Sequence, residues 1–364
     1  MDKETLSHYG WIVIVSLVLA IMIALATPFG VFVGQAVSNT VRGFAGTAQT
    51  KFDGSDFDAD QFELDYNKDK QEWEDAKNGI VKREAGSVIP DGAIYTKADG
   101  TTLVGNGANV FPDTPATGDT YEEGDYTYKY NYYYSYSSWS SKTSQNGWGV
   151  RVKNTSKTTY GEIISKIAGQ PVNTMRCTFY NCTSLTTAPA ISNSVTNMWN
   201  TFMGCTSLTT APAIPISATN MQGTFNSCES LTTAPTIPNS VMNMSSTFQD
   251  CYSLTTAPTI PNSVTNMTYT FDGCRSLTTA PAIPNRVADM SGTFSGCTSL
   301  TTAPVIPNSV KYMEGTFNGC TSLTGTIEVN ANPTFYDDCF LGTSITDITG
   351  SCSQATKDAL METK

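Results

Sequence analysis

Val264-Thr265-Asn266-Met267-Thr268-Tyr269-Thr270-Phe271-Asp272-Gly273-Cys274-Arg275-Ser276-Leu277-Thr278-Thr279-Ala280-Pro281-Ala282-Ile283-Pro284-Asn285-Arg286 is one copy of a unit that recurs every 23 residues between residues 172 and 323. Phe returns at 179, 202, 225, 248, 271, 294 and 317, and Cys at 182, 205, 228, 251, 274, 297 and 320. Met175 to Met313 and Leu185 to Leu323 keep the same step. One unit offers about five large apolar side chains, each contributing roughly 1.5–3 kcal/mol when buried. Ordering costs roughly 1.5 kcal/mol per residue, so a single unit stays unfolded. Stacking places each apolar side chain over its own copy and adds parallel backbone hydrogen bonds, which makes the repeat a solenoid. Seven rungs at about 4.8 Å predict a rod roughly 34 Å long whose ends need caps.

Within a unit, the consensus V-T-N-M-S-x-T-F-x-G-C-x-S-L-T-T-A-P-x-I-P-N-S spaces its apolar residues too irregularly for one helix or one strand. It predicts a turn of helix or 3₁₀ structure around Met-x-x-x-Phe, a short extended stretch through Leu-Thr-Thr-Ala, and a Pro-Asn-Ser corner. Val264-Thr265-Asn266-Met267, Phe271, Cys274 and Leu277 resemble the leucine-rich repeats of BspA-type bacterial surface proteins, and the match recurs over about 150 residues. The resemblance implies a leucine-rich-repeat-like solenoid with short parallel strands, displayed outside the cell. The chain departs from that pattern at Ala188, Ala211, Ala234, Ala257, Ala280 and Ala303, each followed by Pro. Proline cannot donate to a ladder, so the parallel strand is expected to stop after two to four residues.

Residues 1–10 read as an N-terminal tail, and residues 11–33 are nearly continuous apolar sequence flanked by Tyr9 and Trp11, long enough for a transmembrane or signal-anchor helix. Ala24-Leu25-Ala26 offers a cleavage site, the alternative being secretion after processing near Ala26. Either way the repeats leave the cytoplasm. Gly10 before Trp11 and a long apolar helix resemble type IV pilin subunits, which implies an alternative role as an envelope subunit assembling through its N-terminal helix. Val15, however, stands where such subunits carry a glutamate.

Residues 34–90 read as a helical and acidic stalk, with eleven acids between Asp53 and Glu84 against six bases between Lys51 and Arg83. Asp56-x-Asp58-x-Asp60 opens like a calcium loop, but Gln61 and Asn67 replace its glycine and closing glutamate. Residues 91–157 read as linker followed by a small β-rich domain, with residues 85–115 forming turns. Tyr126, Tyr128, Tyr130, Tyr132, Tyr134 and Tyr136 alternate as one strand, which a turn at Gln145-Asn146-Gly147 pairs with Trp148–Lys153. Such a stripe either stacks on sugars or faces a sheet core. Ile163, Ile164 and Ile167 suggest a short amphipathic helix over 158–168, capping a solenoid that runs to residue 349, and 350–364 read as a C-terminal tail.

The chemistry present is sparse. The single histidine, His8, lies beside the apolar segment, which excludes Ser-His-Asp, Cys-His and histidine-zinc sites from the exported region. No C-x-x-C occurs, and the ladder cysteines have the spacing of a packed interior. Cys339 reads as the ladder cysteine of an irregular last rung with Ile345 in place of Leu, and a Cys339–Cys352 bridge is conceivable there. Glu229, Asp250, Asp272, Asp289 and Glu314 occupy different repeat phases and do not converge. No enzyme and no cofactor are expected. A net charge of −11 argues against nucleic acid and anionic lipid as partners. The expected role is binding of an extracellular protein or glycan, with Thr187, Thr210, Thr233, Thr256, Thr279 and Thr302 as the contact row. The other reading of these threonines is that they merely solvate a short sheet.

Overall fold

Each 23-residue unit closes into one rung, and hydrogen bonds run in two directions through it. A computed structural model describes residues 81–136, 138–141 and 146–364; the apolar segment 11–33, most of the acidic stalk and Gln145 of the expected turn lie outside the described residues. In a representative rung, Thr224 N donates to Met221 O, Asn226 N to Gly223 O and Cys228 N to Phe225 O, at 3.0–3.1 Å. The alternate N–H groups point along the rod: Met221, Gly223, Phe225 and Ser227 donate to Asn243, Ser245, Thr247 and Gln249 of the next rung, at 2.7–3.0 Å. The helical turn expected around Met-x-x-x-Phe is therefore a chain of tight turns. A helix would direct every N–H into its own axis and leave none for the neighbouring rung.

The device that breaks the helix is a pair of left-handed residues per rung. One column, from Cys177 through Asn200, Gly223, Ser246, Tyr269, Gly292 and Gly315 to Asp338, has φ of 51–61°. The second, from Asn181 through Gly204, Ser227, Asp250, Gly273, Gly296 and Gly319 to Gly342, has φ of 56–77°. Gly is free to adopt this region, and Asn and Asp tolerate it better than other side chains.

Inside the stack the repeated side chains form columns. Successive Phe rings from Phe179 to Phe340 lie 5.1–5.7 Å apart and within 9° of parallel, all fully buried among the repeats. This is the offset stacking that aromatic quadrupoles favour. The thiols form a second column: Cys205, Cys228, Cys251, Cys274, Cys297 and Cys320 place Sγ 3.0–3.2 Å from the Phe carbonyl of the preceding rung. All ten cysteines are buried free thiols, so Cys339 and Cys352 are not bridged. Burial pushes the ladder thiols well above their ordinary ionisation range.

The parallel strand is shorter than the prolines alone predicted. It shrinks to single bridges, Thr187 to Thr210, Thr210 to Thr233, Thr233 to Thr256 and Thr279 to Thr302. A second column of bridges links Thr174, Asn197, Asn220, Asn243, Asn266, Asp289, Tyr312 and Phe335.

Among the described residues before the solenoid there are ten strands: β1 Lys82–Arg83, β2 Ile94–Thr96, β3 Thr102–Val104, β4 Thr120–Glu123, β5 Tyr126–Tyr130, β6 Tyr132–Ser135, β7 Ser138–Ser141, β8 Trp148–Val152, β9 Lys166–Ile167 and β10 Gln170–Thr174. Eight of them make a sheet in the order β1-β9-β10-β8-β5-β4-β2-β3, and β6 pairs only with β7. Residues 85–115, expected as linker, supply β2 and β3 and bury Ile89, Ala93, Tyr95 and Phe111. The pairing of the Tyr strand with Trp148–Val152 is present, but left-handed Asn131 ends that strand after Tyr130. Tyr126, Tyr128 and Tyr130 face the core, while Tyr132 to Tyr136 belong to the β6–β7 hairpin.

No helix forms over 158–168. Ile163, Ile164 and Ile167 are buried from an extended segment that enters β9, because this stretch runs alongside β1 and the Tyr sheet instead of lying on a flat surface. The cap is instead made by rings and by β10. Tyr126 and Tyr160 meet Phe179 edge-on at 6.3 and 5.2 Å, and the Tyr160 hydroxyl reaches Cys182 Sγ at 3.4 Å. Thr174, the last residue of β10, opens the bridge column of the solenoid.

At the other end, β11 Thr324–Glu328 pairs in parallel with β12 Ser344–Thr349, and the expected tail contains helix α1, Gln354–Met361, capped by Ser353. Leu360 is buried against the last rung. Thr363 Oγ1 accepts from Phe340 N, the N–H that a further rung would have paired, and Lys364 Nζ donates to Ile345 O at 2.6 Å. Cys339 corrects the sequence reading: Phe317 N donates to Cys339 O as Phe294 N does to Thr316 O, so Cys339 stands in the column of buried threonines, and Thr343 ends the thiol column.

Substituting Gly223 with Ala is expected to destabilise more than substituting Gly319. Both are left-handed, at a cost of roughly 1–2 kcal/mol for a Cβ. A Cβ on Gly223 would also overlap Asn200 Oδ1, whereas on Gly319 it would sit 3.7 Å from Gly296 Cα. Urea midpoints of the two variants check this. Above about pH 8.5 thiols of an unfolded chain ionise, while Cys182 and Cys320 are pushed up to about 11 and about 12 by burial. The folded state then holds more protons, so stability is full below that pH and falls as pH rises, by about 1.4 kcal/mol per pH unit for each such thiol. Under reducing conditions Tm is expected to be flat from pH 6 to 8 and to drop steeply above 9, less steeply in Cys251→Ala. Alkylation at pH 7.5 is expected to spare the ladder thiols until the chain is unfolded.

Candidate binding face

Most polar residues of the consensus are consumed inside the stack. The threonines before each Phe are buried. Thr178, at the start of the stack, donates to Val150 O of β8, whereas from Thr201 to Thr316 each hydroxyl lies between two Met carbonyls: Thr247 Oγ1 is 2.7 Å from Met244 O and 2.9 Å from Met221 O. Its one proton serves either carbonyl. The corner serines clasp rung to rung, with Ser194, Ser217, Ser240, Ser263 and Ser309 Oγ donating at 2.6–2.7 Å to Val172, Val195, Ala218, Val241 and Val287 O. Arg286 interrupts that column. The asparagines before each Met make local turns: Asn220, Asn243 and Asn266 Oδ1 accept from the N–H two residues on, at 2.9 Å.

Thr187, Thr210, Thr233, Thr256, Thr279 and Thr302 are different. All six are exposed, and their backbones carry the bridge column described above. None of their hydroxyls bonds to another described residue. By contrast, Thr232 and Thr301, one position earlier in their rungs, turn their hydroxyls onto Thr209 O and Thr278 O at 3.5 and 3.3 Å. The structure thus aligns the whole predicted row on one face with free donors and acceptors. It adds residues that the sequence reading missed: exposed Asn239, Asn262, Asn285 and Asn308 recur on the same Pro-Asn-Ser corner, again with no internal partner among the described residues. At the C-terminal end an open groove of about 740 Å³ lies against Ala280, Pro304, Val305, Asn308 and Asn330. The signal for the asparagines was available, since they follow each second Pro, but the consensus alone does not say which polar column is spent internally.

The face offers hydrogen bonding, with little charge beyond Arg286 at the corner column. Among the described residues, no group of His, Cys, Asp or Glu could hold a metal. Asp272 is pushed up by burial and by the nearby Asp250 carboxylate, and Gln249 Nε2 donates to it at 2.9 Å as part of a side-chain ladder with Asn226. These acids sit on the turn side of the rung and do not join the threonine row. No helix among the described residues is long and apolar enough to cross a membrane.

A model of the BspA type leucine rich repeat region matches the chain in six copies, over residues 173–278 and 244–359, which together exceed half its length. Among solved structures, a leucine rich repeat protein of T. pallidum is 28% identical, with 49% of this chain and 83% of that one covered at a TM-score of 0.43. A leucine-rich repeat protein from Bacteroides ovatus is 15% identical, with 61% and 77% covered at a TM-score of 0.29. No curated protein matches significantly.

Replacing an exposed threonine, Thr256→Ala, is expected to change stability by no more than about 0.5 kcal/mol. The buried Thr247→Val is expected to cost about 1–2 kcal/mol by removing a hydroxyl between two carbonyls. Paired denaturation curves distinguish the two columns.

Proposed function

Because the chain belongs to the BspA-type leucine-rich repeat family, whose match covers more than half of it, we propose that it is a non-enzymatic surface protein that binds an extracellular protein or glycan through its threonine face. The observation that carries this reading is the idle hydrogen-bonding capacity of Thr187, Thr210, Thr233, Thr256, Thr279 and Thr302, in contrast to the buried threonines, the corner serines and the asparagines before each Met, which are engaged internally. Hydroxyls repeating at one-rung intervals present a regular, nearly uncharged lattice. Such a surface suits the repeating hydroxyls of a polysaccharide or an extended peptide laid along the rod. Rigid spacing means the donors need no ordering on binding, which lowers the entropic cost of association.

In this reading the apolar segment 11–33 anchors the chain in the cell membrane and the acidic stretch after it holds the repeats away from the surface. Affinity from single hydroxyl contacts is small, so useful binding comes from several rungs engaging together.

The test uses arrays of glycans and extracellular-matrix proteins probed with the full chain and with a variant carrying Thr→Ala at all six positions. Since the hydroxyls do no internal work, the variant is expected to fold with an unchanged melting profile and to lose at least about tenfold in affinity for whatever the parent binds. Equal binding by both proteins removes the row as the contact surface.

A further inference from the structure

Two arginines, one on the β-rich domain and one in the first rung beside it, have no anionic partner among the described residues. Four other cations of that domain pair with carboxylates, Arg83 with Glu123, Lys153 with Glu122, Lys157 with Asp125 and Lys166 with Glu84. Arg151 on β8 and Arg176 just beyond β10 pair with none among the described residues, and the Nε atom of each is shut off from water with no hydrogen-bond partner. Aromatic rings hold these arginines instead. The Arg176 guanidinium lies 3.8 Å from the centre of the Tyr133 ring and 4.2 Å from that of Trp199, and Arg151 lies 5.4 Å from that of Tyr134.

A guanidinium packed against rings retains the N–H groups in its own plane, the edge that grips a carboxylate or sulfate through two parallel hydrogen bonds. Trp199 connects this charge to a wider aromatic surface. Tyr136 meets Trp199 edge-on at 5.4 Å and Tyr180 at 5.1 Å, and Asn200 Nδ2 donates to its hydroxyl at 3.1 Å, which fixes the ring. Even so, Tyr136 remains 47% exposed. An exposed, immobilised aromatic ring beside an unpaired guanidinium matches a sugar ring with an acidic substituent. Neither a neutral sugar nor a simple anion uses both halves.

We propose that Arg176, Trp199 and Tyr136 form a binding site for an acidic saccharide, with the pyranose ring on Tyr136, the carboxylate or sulfate on the rim of Arg176, and Arg151 as a second positive charge. This site makes no use of the threonine row and holds whether or not that row binds anything.

Calorimetric titration of the full chain with a galacturonate oligomer, a sulfated heparin-type oligosaccharide, a neutral xylo-oligosaccharide and polyglutamate tests it. Binding is expected for at least one acidic saccharide, weakening with salt, and the preferred arm tells uronate from sulfate. Arg176→Ala is expected to weaken that binding about tenfold or more, Arg176→Lys to recover only part of it, and Tyr136→Ala to weaken it severalfold. Tyr136, nearly half in solvent, serves as the deciding variant should Arg176→Ala fail to fold by near-UV circular dichroism. No binding in either acidic arm, equal binding of the neutral oligosaccharide or of polyglutamate, or unchanged affinity in Tyr136→Ala overturns the proposal.

Discussion

The structure depends on one requirement: every rung must hand its outward-pointing N–H groups to the carbonyls of the next. Met221, Gly223, Phe225 and Ser227 reach the following rung only because two residues in each unit adopt left-handed backbone and turn alternate N–H groups along the rod. Buried backbone donors left without partners cost too much to persist. The side-chain columns follow from that frame, since an identical backbone path places Phe on Phe and the ladder Cys, from Cys205 to Cys320, beneath a Phe carbonyl. The hydroxyls of Thr201 through Thr316 and of the corner serines then bind the polar edges that the backbone ladder leaves over.

The same frame accounts for the reduced state of the ladder cysteines from Cys205 to Cys320. A thiol held against a carbonyl and removed from water keeps its proton, so it is neither a nucleophile nor a willing partner in disulfide exchange.

Where the chain repeats, its architecture was legible. Identical residues at a fixed step announced the solenoid, its core columns and the exposed threonine row, and the family match agrees with all but the last, which concerns a surface. Where the chain does not repeat, local pattern misled. Ile163, Ile164 and Ile167 have the spacing of an amphipathic helix, yet the sheet draws them out as an extended edge. Cys339 resembled the ladder cysteine of an irregular last rung with Ile345 in place of Leu, but counting back 23 residues leads to Thr316, and the hydrogen bonds follow that count. The left-handed columns escaped notice because Gly alternates there with Asn, Ser, Asp, Cys and Tyr, a mixture whose common property is backbone tolerance and not side-chain chemistry. The idle state of the Thr187 row, and the unpaired arginines beside Trp199, depend on which neighbours are near in space, and no linear pattern encodes that.

The caps have a consequence for how such a chain can change. Tyr126, Tyr160 and β10 finish one end, with Tyr136 reaching Trp199 and Asn200 of the second rung, while Thr363, Lys364 and Leu360 finish the other, so the copies between them pack chiefly on one another. Each is therefore interchangeable with its neighbours. A duplication or loss of one whole 23-residue module between the two closures would lengthen or shorten the stack by a single step and leave every remaining junction as it was, making the number of exposed threonine rungs an adjustable dimension.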